Sequence, residues 1–262
     1  MAAANRVQAT IGERAFSLIV WGGLAILLLA SFPAAEMGRF GDLVGGNGNL
    51  RRLASEFAHP DFSDWRLYLA NMGLTLAMAL WGTVVALVIA APLGLAAARN
   101  LSPLWLQQPA RRLLDLLRSV PDLVIGALFV AAVGLGPFAG VMALAINTGG
   151  VLGKLFSEAV EAIDPGPIEG VRATGASRAQ EIVWGVLPQV APLWTSFALY
   201  RFESNARSAT VLSLIGAGGI GQSLFDSINS FAFDQTSAIV IIILVAVSGI
   251  DLLSQLLRSR LV

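Results

Sequence analysis

Tyr200, Arg201, Glu203, Asn205 and Arg207 stand within an otherwise apolar run, and they are the side chains whose types and spacing are best suited to chemistry. A charge at the centre of a bilayer costs roughly 2.5–3.5 kcal/mol on insertion scales, so each charged member must face protein or water. Glu203 and Arg207 are four apart with the acid first, the favourable order for a helical ion pair that neutralises both. Arg201 has no such partner on its own helix, where Asn205 and Ser208 share its face. Counted from Ala191, it lies about 15 Å into a hydrocarbon core about 30 Å thick, near the midplane. Two roles are open to it. It could pair with Asp122 or Glu158 from neighbouring spans, or it could be a fixed cation on a path through the membrane, which predicts an anionic solute. Asn147 and Thr148, followed by Gly149-Gly150, fall about midway along another apolar run and are expected to interrupt it. There they either expose backbone groups to a cavity or pack helix on helix.

Other patterns exclude chemistry. Gly216-Ala-Gly218-Gly219-Ile-Gly221 fits the letters of a dinucleotide fingerprint, but that fingerprint needs a soluble strand and helix meeting at a pyrophosphate. Here it lies between two apolar runs, where glycines let the backbone bend and helices approach closely at the mouth of a pore. No Gly-x-x-x-x-Gly-Lys-Ser/Thr loop occurs, so the chain does not hydrolyse ATP by that route, and energy has to come from another subunit. The single histidine, His59, stands beside Pro60 without a ligand set, so no metal site is expected. Cysteine is absent, which removes thiol and disulfide chemistry.

The elements that must position these residues follow from composition. Hydrophobic residues make up 56% of the chain and charged residues 13%, which points to an all-α integral membrane protein. A span needs about 20 apolar residues. Six candidates can be placed, at residues 16–33, 67–98, 113–135, 138–158, 190–212 and 235–257. The second is too long for one straight span and begins or ends outside the bilayer. The first, with Arg14 before it and Ala34-Ala35 after it, reads as a retained span rather than a cleaved signal. Residues 34–66 form a glycine-rich external loop, residues 99–112 a non-helical link marked by Pro103 and Pro109, and Gly134-Leu-Gly136-Pro137 a tight turn.

Net charge is zero, with 17 basic and 17 acidic residues, and so gives no reason to expect nucleic acid as a partner. The distribution of arginine is more telling. Arg6, Arg14, Arg99, Arg111, Arg112, Arg118, Lys154, Arg172, Arg178, Arg258 and Arg260 fall on one side of six alternating spans, and Arg39, Arg51, Arg52 and Arg66 on the other. The positive-inside tendency then makes both termini (1–15 and 258–262) cytoplasmic, together with residues 159–189 of the membrane core 67–257.

That cytoplasmic loop carries the stretch Glu169-Gly-Val-Arg-Ala-Thr-Gly175-Ala-Ser-Arg-Ala-Gln, which reads as helix, turn, helix. Pro167 suits a first helical turn, Gly175 breaks the helix, and Ser177 with Gln180 has the spacing of a capping box. Pro188, after Leu187, is expected to stop or kink the second helix. The spacing of Glu169, Gly175 and Leu187-Pro188 resembles the cytoplasmic EAA loop of permease subunits of ATP-binding-cassette (ABC) importers. Gly170 and Val171 replace two usual alanines, and Gly185 replaces a usual isoleucine.

Arg118-Ser-Val-Pro-Asp122, Gly134-Leu-Gly-Pro-Phe-Ala-Gly140, Gly149-Gly-Val-Leu-Gly-Lys154, Ile163-Asp-Pro-Gly-Pro167, Tyr200-Arg-Phe-Glu203 and Gly216 to Gly221 resemble the phosphonate-importer branch of these permeases over about residues 66–257. The resemblance implies a type I importer permease fold of about six spans in a bacterial cytoplasmic membrane. It implies a homodimer joined by two ATPase subunits that bind ATP and Mg, and fed by an extracytoplasmic binding protein. It implies alternating access for phosphonates, phosphite or related oxyanions, with no cofactor held by this chain. Glu169, Gly170, Arg172, Ala173, Thr174, Gly175, Ala176, Ser177, Leu187 and Pro188 would couple to the ATPase. Arg201, Glu203, Asn205, Arg207, Asn147 and Thr148 would line the path, and Gly216, Gly218, Gly219 and Gly221 would gate or pack it. Other expectations are a permease for methionine, taurine or a nitrogen compound, or a membrane sensor or enzyme subunit.

Overall fold

The computed structural model describes residues 11–39, 41 and 47–260, so Arg6, Gly45 and Gly46 lie outside the described residues. The chain divides into two units, Met1–Glu56 and Phe57–Val262. In the first, helix α1 (Ile11–Ala34) contains an apolar stretch, Phe16–Ala34, long enough to cross a membrane. A single 3-10 turn (Met37–Arg39) follows it. The glycine-rich loop is not wholly irregular, because residues Asn47–Phe57 form helix α2, with Arg52 and Glu56 paired at 2.8 Å across one turn.

The second unit is a bundle built on α3 (Trp65–Ala97) and α6 (Pro137–Glu161). Its 33 residues make α3 about 50 Å long, longer than a hydrocarbon core, so one end stands clear of it. Ala79, Gly82, Ala86, Ala90 and Gly94 recur every three or four residues along α3 and form its buried stripe. Lipid tails are as apolar as leucine, so spans associate through close packing rather than hydrophobic transfer, and small residues permit it. A Cβ on Gly82 would stand 2.7 Å from the Leu144 Cβ of α6, which measures how near the two backbones come.

The third span differs from its expected form. In place of a link followed by one straight helix at 113–135, α4 (Leu104–Ser119) and α5 (Asp122–Val133) meet at 86°. Pro103 precedes α4 and Pro109 lies within it, so the expected non-helical link is mostly helix. Pro121 causes the bend: it lacks an N–H and pushes Val120 into the extended region, with ψ 125. Asn147 of α6 donates to the carbonyl of Val120 at 3.1 Å, satisfying an acceptor next to the break.

The fourth span is corrected as well. Asn147, Thr148, Gly149 and Gly150 do not interrupt α6, which is continuous from Pro137 to Glu161. Neighbouring helices use the space these glycines leave, since a Cβ on Gly150 would stand 2.8 Å from the backbone nitrogen of Arg118 on α4.

After α6 come α7 (Pro165–Ala173), a single turn α8 (Arg178–Gln180), a wider π-helical segment (Glu181–Val186) and α9 (Leu187–Leu212). Pro188 does not stop the second helix, which continues through a π segment into α9. It occupies the first turn of α9, and the π segment before it absorbs its missing donor and the crowding of its ring. A 3-10 turn (Ser213–Ile215), α10 (Ile220–Asn229) and α11 (Phe233–Arg258) complete the unit. Phe156 of α6 stacks on Trp194 of α9, with ring centroids 4.1 Å apart.

Candidate functional site

Three groups of candidate residues occupy three levels of the bundle. At one end lies the loop centred on α7. The Asp164 carboxylate accepts from the N–H of Gly166 at 2.9 Å and caps the helix, while Pro165 and Pro167 supply fixed φ to its first turn. Ile168 is the buried residue of α7 and packs with Ala98, Leu101, Val186 and Val190. Glu169, Gly170, Arg172, Ala173, Thr174, Gly175 and Ser177 are exposed and Ala176 is half-buried, so the loop turns a polar, small-residue face to water. Gly175 has φ 81°, which an L side chain adopts with strain, and nothing lies within 4 Å of where its Cβ would be. Gln180 accepts from the backbone N–H of Ser177 at 2.8 Å, the expected capping partner. Leu187 is half-buried and Pro188 exposed.

Sequence reasoning missed the residues that hold this loop in place. Glu181 is buried and takes two hydrogen bonds from Arg172, at 2.9 and 3.1 Å, and one from Arg178 at 3.0 Å. Arg178 also donates to the carbonyl of Leu101, in the turn between α3 and α4, at 3.2 Å. The bidentate Arg172 guanidinium, aided by Arg178, holds the Glu181 carboxyl well below its ordinary range, at about 2. At the other end of α7, Gln189 donates to the carbonyls of Asp164 (3.2 Å) and Gly185 (2.6 Å) and accepts from the N–H of Asp164 at 3.2 Å. One end of α7 is thus fastened to the π segment and the other to the base of α9. The available signal was chemical: a carboxylate three residues after one arginine and nine after another, across a turn at Gly175. Beside this loop, Glu161 accepts from the N–H of Arg99 at 2.8 Å and pairs with Arg111, joining the ends of α3, α4 and α6.

The second group lies in the middle of the bundle. Arg201 donates from Nη2 to the Thr148 hydroxyl at 3.1 Å, and Thr148 donates to Asn205 Oδ1 at 2.7 Å. Asn205 then donates to the Thr83 hydroxyl at 2.9 Å, and Thr83 to the carbonyl of Ala79 at 2.7 Å. Thr83 was not among the expected residues. Among the described residues Arg201 forms no ion pair: Glu158 is paired with Lys154 instead, at 3.6 Å. In place of either expected ion pair Arg201 bonds a threonine hydroxyl, while the charge of Asp122 acts on it from beyond ion-pair distance. Arg201 Nε is buried without a hydrogen-bond partner. Glu203 and Arg207 form the expected pair at 3.1 Å, extended at 3.6 Å to Arg258 and Asp251 of α11, so these two charges are committed to joining α9 and α11. Asn147 faces the α4–α5 break rather than Arg201.

The glycine segment closes the end of the bundle opposite α7. Gly216, Gly218 and Gly219 all have positive φ, and the N–H of Gly136 donates to the carbonyl of Gly216 at 3.0 Å. Gly219 needs both its φ of 96° and its missing side chain, because a Cβ there would stand 2.4 Å from Thr75 Oγ1. That hydroxyl accepts from the N–H of Ile220 at 2.9 Å and fixes the start of α10 to α3. At Gly221 a Cβ would stand 1.9 Å from the carbonyl oxygen of Thr210. The segment is a packing joint between helices, and no strand precedes it among the described residues.

Bent spans, an exposed loop fastened at one end and a polar centre define a multi-pass helical membrane subunit. Residues 90–262 match the family described as binding-protein-dependent transport system inner membrane component, and the chain belongs to that family, as a permease of the ABC importer type. It is 42% identical over 219 residues to the phosphite transport system permease protein PtxC of Stutzerimonas stutzeri, covering 83% of this chain and 80% of that protein. It is 46% identical over 189 residues to the phosphate-import permease protein PhnE of Mycolicibacterium smegmatis, covering 72% of this chain and 36% of that one. A putative cryptic phosphonate transport system permease protein of Escherichia coli (strain K12) is 60% identical over 121 residues, which is 46% of this chain and 99% of its own. The fold is similar to that of a chain of the MetNI methionine ABC transporter in an inward-facing conformation, with a TM-score of 0.67 at 20% identity, covering 77% of this chain and 99% of that one.

Proposed function

We propose that the chain is the membrane-spanning permease of an importer for phosphite, phosphonates or related phosphorus oxyanions. The observation that carries this reading is the 42% identity, over most of both chains, to a phosphite transport permease. The chemistry agrees with it, because Arg201 is a half-buried cation with donors to spare and, among the described residues, no carboxylate within ion-pair distance.

Two copies of the chain form the path, two ATPase subunits bind ATP and Mg, and an extracytoplasmic binding protein delivers the solute. Both termini face the cytoplasm, as the arginine distribution supports. The exposed face of α7, with Glu169, Arg172, Thr174 and Gly175, docks on the ATPase. Because Glu181 and Gln189 fasten α7 to the π segment and to α9, closure of the ATPase pair displaces the base of α9 and, through Arg178, the turn at Leu101. The glycine joint between α9 and α10 is the outer hinge of the alternating path.

The test is growth of a strain deleted for this gene on methylphosphonate, 2-aminoethylphosphonate or phosphite as sole phosphorus source, with phosphate as control. The expected outcome is loss of growth on one or more of the three and recovery with a plasmid copy. Normal growth on all three, in a strain with no second importer, would remove the phosphorus assignment and leave the permease.

A further inference from the structure

We infer that Arg201, Thr148, Asn205 and Thr83 form a polarised hydrogen-bond relay that makes the Arg201 guanidinium a donor-only binding station for an oxyanion halfway across the membrane. The inference rests on the phosphorus-oxyanion reading above and deepens it by placing a solute contact inside the permease.

The direction of every bond in the relay is fixed by chemistry. The Thr83 proton goes to the Ala79 carbonyl, so the Thr83 oxygen can only accept, and it accepts from Asn205 Nδ2. Asn205 Oδ1 then takes the Thr148 proton, which leaves the Thr148 oxygen to accept from Arg201 Nη2. Each hydroxyl proton is used, and each donation points away from Arg201 towards α3. What emerges at the other end is a guanidinium with five N–H groups and one partner, whose Nε is buried with none.

Position supports the assignment. Thr148 is near the middle of α6 (Pro137–Glu161) and Thr83 near the middle of α3 (Trp65–Ala97), so the station is far from either water interface. The other charges on α9 are already spent on one another and on α11. A half-buried cation whose one hydrogen-bond partner is a neutral hydroxyl, with no carboxylate within ion-pair distance among the described residues, has donors left for an acceptor carrying negative charge. Phosphite and phosphonates present such oxygens in a geometry that a guanidinium can meet with two N–H groups.

The test is uptake of methylphosphonate and of phosphite by proteoliposomes holding the permease with its ATPase, supplied with saturating loaded binding protein, for wild type, R201Q, R201K and T148V. Solute uptake and ATP hydrolysis are measured together. R201Q is expected to lower the maximal uptake rate at least tenfold while hydrolysis continues, so that ATP spent per solute rises. T148V removes the acceptor for Arg201 but keeps the shape of the side chain, and is expected to lower uptake three- to tenfold with the complex intact. R201K is expected to retain more uptake than R201Q.

Wild-type uptake of either probe with undiminished uptake by R201Q and T148V would overturn the station alone. So would loss of the assembled complex in both variants, which would make Arg201 a structural cation paired across a subunit interface. No uptake of either probe by wild type would overturn the phosphorus reading, and the station with it.

Discussion

At the scale of single residues, Glu181 carries the most consequence for the least visibility. It is buried beneath the exposed loop, and its two arginine partners come from α7 and α8, so its charge joins pieces of chain that the turn at Gly175 separates. Its carboxyl has an ordinary value of 4.5 and is lowered to about 2, chiefly by the hydrogen bonds from Arg172. A group depressed in this way contributes stability that is present in full above its unfolded value and is lost as pH falls through its folded value. The difference in Tm between wild type and Glu181→Gln, measured in detergent, is therefore expected to be flat from pH 8 down to about 5 and to shrink below about 4.5. A difference that already declined between pH 7 and 5.5 would show that the arginine pairing does not set this carboxyl. Arg201, Asn205 and the Glu203–Arg207 pair were legible in the sequence because each is costly in an apolar run and must be explained, whereas Thr148 stood out only for a helix break that the structure does not contain. Glu181 and Thr83 were not. A carboxylate among arginines in a loop carries no such cost, and one threonine in an apolar helix is commonplace, so only the fold shows that both are anchors.

At the scale of elements, the α4–α5 break is where hydropathy reading fails for a physical reason. A window counts apolar residues but not the direction of the chain, so 113–135 read as one span although Pro121 makes α5 start afresh at 86° to α4. The apparent break in α6 failed in the opposite way. Glycines that lower helix propensity in water are used in membranes for close approach, and Gly149 and Gly150 serve that purpose without bending the helix. The two features are coupled by Asn147, which sits beside those glycines and donates to the carbonyl of Val120 at the break. Asn147→Leu leaves that half-buried carbonyl without its donor and is expected to destabilise the protein by about 1–3 kcal/mol. Asn147→Asp, whose side chain cannot donate when ionised, is expected to share the loss, whereas Asn147→Gln can restore part of it. The readout is the temperature at which the detergent-solubilised protein aggregates. Equal temperatures for wild type and Asn147→Leu would show that the bend needs no support from α6.

At the scale of the whole molecule, a chain with no net charge still carries a vectorial signal. The fold allows that signal to be checked without reference to charge: α3 and α6 have their Ala97 and Glu161 ends joined through Arg99, Arg111 and Glu161, and this is the end that carries α7. Ser230, between α10 and α11, belongs to the opposite end, since α11 runs from Phe233 there to Arg258. Ser177 and Ser230 are both exposed, and the sequence contains no cysteine, so a cysteine placed at either position is the sole thiol in the chain. If the arginine-rich face is cytoplasmic, a membrane-impermeant maleimide is expected to label Ser230→Cys in intact spheroplasts and to reach Ser177→Cys only in inverted vesicles. Adding the ATPase should then slow labelling of Ser177→Cys and leave Ser230→Cys unaffected, because docking covers the face of α7 and not the far end of α11. The reverse labelling pattern would turn the loop away from ATP. It would also break the link between α7 and energy input, which makes the orientation of this chain the premise on which its coupling mechanism depends.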